Sequence, residues 1–154
     1  MMLDRRAQGA EIELRSYFES EGNVNVKVTD VWLEDDIWTS IRLNPNALPL
    51  GNLVVLPSCF HLRLSHTETK ALPCMANLEA SGDQLIYSLD YGDRSVKFWI
   101  NAEFSPTIDK LEETAYSGWG AGRKQLTLNK QIKTDYWTKN SVSDGPWRDK
   151  LGLE

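Results

Sequence analysis

The chain has 154 residues, 41% of them hydrophobic, 25% charged and 10% aromatic, with a formal net charge of −5. That length and balance suit one folded domain spanning 1–154, able to bury roughly 70% of the surface its unfolded chain exposes, and they exclude disordered and collagenous classes. The acidic charge argues against a protein that grips a phosphate backbone, because that affinity comes from Lys and Arg displacing counterions.

Residues Leu3 to Phe18 place Leu3, Ala7, Ala10, Leu14, Tyr17 and Phe18 at helical spacing, with Arg5, Arg6, Glu11, Glu13 and Arg15 largely opposite, which predicts an N-terminal amphipathic helix. From Val24 the period falls to two. Val24, Val26 and Val28 alternate with polar residues, and Ile37, Thr39, Ile41 and Leu43 do so again beyond the acidic turn Glu34-Asp35-Asp36, so the two runs are expected to pair as a hairpin. Leu53 to Leu56, Phe60 to Leu64 and Ala76 to Ala80 read as three further strands, punctuated by Pro57 and Pro73.

Gln84 to Ala102 carries the clearest local signal. With Gly92-Asp93 as a two-residue loop, Leu89 meets Val96, Tyr87 meets Phe98 and Leu85 meets Ile100, so turn chemistry and apolar pattern agree. Ser105-Pro106 then has the form of a helix opening, with Ile108, Leu111 and Ala115 on one face; Gln125 to Trp137 favours helix over strand, and 138–154 reads as an extended tail. The expected class is α+β: a mainly antiparallel sheet of about five to seven strands, flanked by an N-terminal helix and one or two C-terminal helices.

Four soft ligands, Cys59, His61, His66 and Cys74, fall within sixteen consecutive residues. On a strand Cys59 and His61 share a face, and zinc is the ion they would take, although C-x-H-x4-H-x7-C matches no standard zinc spacing. No other cofactor is implied. Glu68-Thr69-Lys70 has the form of an E-x-K metal-nuclease triplet, but no Pro-Asp element precedes it at a strand end. Gly118 to Lys124 is glycine-rich without Walker A spacing, and no G-x-S-x-G elbow is present.

Among function classes, the composition favours a small acidic protein-binding module. Inhibitors of immunity-protein or antitoxin type have this character, since a negative face masks a basic partner surface. Its contact residues would be the acidic turn Glu34, Asp35 and Asp36, with Trp38 and Trp119 as aromatic anchors. The alternatives are an enzyme or ligand-binding protein using the Cys/His cluster, with a pocket where His61 or His66 meets a carboxylate, and a homo-oligomeric structural subunit. The charged stretch to Gly22 holds no apolar run of the signal-peptide kind and no membrane-length apolar run occurs, so a cytoplasmic location with reduced thiols, and no membrane partner, is expected.

Overall fold

The computed structural model describes residues 2–6, 9–15, 23–117 and 120–153. The first strands are β1 (Met2–Arg6), β2 (Gly9–Arg15) and β3 (Asn23–Thr29), which form an antiparallel three-stranded sheet in the order β1-β2-β3. This corrects the helix expected over Leu3 to Phe18 across its described part. The reason lies in Ile12, which a helix would leave among Glu11, Glu13 and Arg15. Read with a period of two, Ala10 and Ile12 fall on one face, opposite Val28 and Val26 of β3, and Ile12 is 0% exposed.

After β4 (Trp32–Leu33) comes α1 (Glu34–Leu43), where a strand and a hairpin partner for β3 were expected. Ile37 and Ile41 fit either period. Helix wins because Glu34, Asp35 and Asp36 occupy its first turn, where carboxylates meet the positive end of the helix dipole, and because Glu34, Ile37 and Ile41 bury one face at i, i+3 and i+7. Leu43, assigned to the buried face of a strand, is 79% exposed.

β5 (Gly51–Leu56) leads into α2 (Cys59–Ser65), again helix in place of an expected strand. Ser58 caps it by accepting from the His61 N–H at 3.1 Å, and Pro57 stands outside it. Then follow β6 (Leu72–Ser81), β7 (Gln84–Asp90), β8 (Arg94–Asn101), β9 (Thr107–Ser117) and β10 (Gly120–Thr127). β9 replaces the helix expected after Pro106. Its buried residues Leu111 and Glu113 are two apart, and Leu111 lies opposite Phe98 on β8. The helix favoured over Gln125 to Trp137 is also absent: β10 runs to Thr127, and the next regular element is a 3-10 turn at Tyr136–Thr138. Within 138–154 the chain forms a second 3-10 turn and α3 (Gly145–Leu151), which ends on Gly152 in the left-handed region.

The architecture is α+β. A seven-stranded, mostly antiparallel sheet runs in the order β10-β9-β8-β7-β6-β5-β4, with only β4 and β5 parallel. The β7–β8 pairing has the register read from sequence, Tyr87 opposite Phe98 and Leu89 opposite Val96, around a turn in which Gly92 takes φ 91°. One face of this sheet presents Tyr87, Leu89, Val96, Phe98 and Ile100 to Ile37 and Ile41 of α1. Each such side chain contributes about 1.5–3 kcal/mol by leaving water. The small sheet packs separately, through Ala10 and Ile12, against Leu33, Leu56 and Leu62. Among the described residues, no helix is long and apolar enough to cross a membrane.

Candidate functional site

Charged residues stand on the core face of the large sheet where its pattern calls for apolar ones. Arg94 opens β8 directly after the Gly92-Asp93 turn and shares a face with buried Val96, Phe98 and Ile100. Glu113 lies two beyond Leu111 on β9 and is likewise buried, while Glu34 begins α1 on the helix face turned to the sheet. Arg94 joins the two carboxylates. Its Nη1 and Nη2 donate to Oε2 and Oε1 of Glu34, both at 2.7 Å, and its Nε donates to Oε1 of Glu113 at 2.6 Å. Paired guanidinium donors match the two carboxylate oxygens geometrically, so this contact fixes orientation as well as charge.

Three further residues extend the network. The Tyr91 hydroxyl donates to Glu34 Oε2 at 2.7 Å, and its ring lies 5.3 Å from the Arg94 guanidinium carbon. His61 Nδ1 is 3.0 Å from Glu113 Oε1, and Lys124 Nζ donates to Glu113 Oε2 at 3.2 Å. Residues from α1, α2, β8, β9 and β10 are thus tied through one pair of carboxylates. Hydrogen bonding from His61, reinforced by Arg94 and Lys124, holds the Glu113 carboxyl well below the usual carboxylate range. Burial opposes charge on Arg94, but its bonds to Glu34 and Glu113 outweigh that and raise the guanidinium further. Burial, then the neighbouring Glu34, pushes the Tyr91 hydroxyl upward.

The network floors a cavity of about 350 Å3 whose walls include Trp38, Phe60, Val96, Leu111 and Leu126, with Asp35 and Lys124 also lining it. Trp38 is half-buried and stands edge-on to Phe98, ring centroids 5.4 Å apart. Phe60 and Leu126 are 69% and 61% exposed, so the cavity has an apolar lip facing solvent.

Of the acidic turn, Glu34 is consumed in the buried ion pair and so is not an open acidic contact. Asp35 is exposed and accepts the Cys59 backbone N–H at 3.0 Å, while Asp36 is half-buried. Glu34, Asp35 and Trp38 all border the cavity. Trp119 lies outside the described residues. Cys59 and His61, expected on one strand face, are two apart on α2, where such positions do not face each other. His66 is exposed at the left-handed C-cap of that helix, and Cys74 is buried in β6. Among the described residues, no three His, Cys, Asp or Glu side chains gather as metal ligands. Both thiols are free; burial raises Cys59 to about 12, with Asp35 adding to the effect, and raises Cys74 to about 11.

Sequence reasoning missed Arg94, Glu113, Tyr91, Phe60 and Leu126 as site residues, and noticed Lys124 only as the end of the glycine-rich stretch from Gly118. Arg94 was detectable as the one cation in the apolar row Arg94, Val96, Phe98, Ile100. Glu113 was hidden because a helix opened by Ser105-Pro106 and ended by Gly118 would turn it to solvent. Comparison with protein-family models, with curated proteins and with solved structures finds no match to this chain.

Proposed function

We propose that the chain is a protein-binding module whose contact surface is the cleft between α1, α2 and the β9–β10 hairpin. It would act as an inhibitor of immunity-protein or antitoxin type, covering a basic surface of its partner. The observation that carries this reading is the solvent-facing apolar lip, Phe60 and Leu126, around Trp38 and a hydrogen-bonded charged floor. Aromatic anchors beside a fixed charged pocket are what dominate interface energetics. The acidic and basic groups of the cleft are held by one another: Glu34 and Glu113 by Arg94, and Glu113 also by His61 and Lys124. The net charge of −5 favours encounter with a cationic partner.

A second reading, a small-molecule site, rests on the approach of His61 and Glu113 to 3.0 Å near a cavity whose size falls within the ligand-pocket range.

Affinity capture from the native cell tests the first reading, comparing wild type with Phe60→Asp and with Lys97→Glu, the latter an exposed position on the opposite face of the sheet. The expected result is a partner held by wild type and Lys97→Glu and lost by Phe60→Asp. A partner recovered equally with all three forms, or none with any, contradicts it.

A further inference from the structure

We infer that the cleft takes a cationic side chain, an arginine or lysine of a partner protein, with its aliphatic stem against Trp38 and Phe60 and its charged head at Asp35. This rests on the binding reading above and adds the chemistry of the occupant.

Charge balance comes first. Three carboxylates border the cavity, Glu34, Asp35 and Glu113, against two basic side chains, Arg94 and Lys124. Glu34 is matched by the paired guanidinium donors, and Glu113 is held by Arg94 and Lys124. Asp35 remains. It is exposed, its Oδ2 accepts from the neutral Cys59 N–H, and among the described residues no basic side chain is paired with it. Some of that surplus is offset by the positive end of the α1 dipole, which weakens with distance from the first turn and does not supply a full counter-charge. The cavity therefore carries an unmatched negative charge at its wall.

The walls select what kind of cation. A small hydrated ion gains nothing from Trp38, Phe60 and Leu126, whereas a long basic side chain lays its methylene stem along apolar surface and keeps its charge at the polar end. The faces of Trp and Phe rings also attract cations. An aliphatic side chain would cover Asp35 without meeting its charge, and an acidic one would be repelled.

The chain itself shows a cation on this floor. Lys124 reaches in from the edge strand β10 and sets its ammonium on the buried Glu113 carboxylate, although its own side chain is 55% exposed. A flexible lysine entering from solvent is the same arrangement a partner residue would adopt one step along the wall.

The test uses the intact chain labelled with nitrogen-15, following the indole N–H of Trp38, identified by its loss in Trp38→Phe. Two probes are titrated: the peptide acetyl-Leu-Arg-Leu-amide and its counterpart with neutral citrulline in place of arginine. The expected result is a saturable shift of the Trp38 signal, with the arginine peptide binding about tenfold more tightly than the citrulline one. Asp35→Asn, which keeps an acceptor for the Cys59 N–H, should erase that preference and leave the citrulline peptide unchanged. Equal affinity for both peptides, a preference that survives Asp35→Asn, or no movement of Trp38 with either, overturns the inference. Those outcomes do not touch the capture experiment with Phe60→Asp, which decides the binding reading by itself.

Discussion

Arg94 is the residue on which the cleft depends, because among the described residues it alone is bonded to both buried carboxylates. Replacing it with alanine would leave Glu34 and Glu113 in low dielectric without their main counter-charge. Arg94→Ala is therefore expected to lower unfolding free energy by about 3–5 kcal/mol, read by urea denaturation. Lysine should not rescue it, since one ammonium cannot reproduce the paired donors to Glu34 and the third bond to Glu113. Glu113 adds a pH signature. Its carboxyl is depressed in the folded chain, so its contribution is fully present above the unfolded value of about 4.3 and is lost as pH falls toward the lower folded value. Stability should decline below about pH 5, and Glu113→Gln should flatten that decline relative to wild type at the same pH values. An unchanged slope would remove Glu113 from the network's electrostatics. These residues were largely invisible in the sequence, because burial of an ionised group depends on what the fold brings opposite it. Arg94 could be suspected from its row, but its partners come from sixty residues upstream and nineteen downstream.

At the scale of elements, the β7–β8 hairpin was legible because two independent signals agreed: a glycine able to take φ 91° at the turn, and large apolar pairs in one register. The misread elements each offered both periods. Ile37 and Ile41 are compatible with strand or helix, and the acidic first turn decided for helix. Residues 3–18 showed a helical spacing only if Ile12 was left on the polar side. The two assignments differ in a measurable way, since Ile12 is fully buried against Leu33, Leu56 and Leu62. Ile12→Ala is expected to cost about 2–5 kcal/mol in thermal or urea unfolding. A cost near zero would place Ile12 in solvent, as the helical reading would have it. α2 carried a quieter signal in Ser58, an N-cap whose hydroxyl oxygen meets the His61 N–H, and its helical turn is what separates Cys59 from His61.

For the molecule as a whole, the large sheet has two unlike faces. One packs on α1 and ends at the charged cleft; the other carries Ser88, Lys97 and Glu112 in one cross-strand row and Ile86, Trp99 and Lys110 in the next, with Lys110 Nζ 4.0 Å from the centre of the Trp99 ring. Composition alone led us to expect an acidic contact surface on the turn Glu34 to Asp36. The fold withdraws Glu34 into an ion pair, so the contact surface we propose is formed by Asp35, Trp38, Phe60 and Leu126 around the cavity. The location of the proposed contact is thus what a single measurement can decide. Hydrogen–deuterium exchange with the partner captured by the wild-type chain should show added protection at 35–38, in α2 and in the 124–127 segment of β10, with the opposite sheet face unchanged. Protection centred on Ser88, Lys97 and Glu112, or protection absent from α2 and β10, would contradict the account.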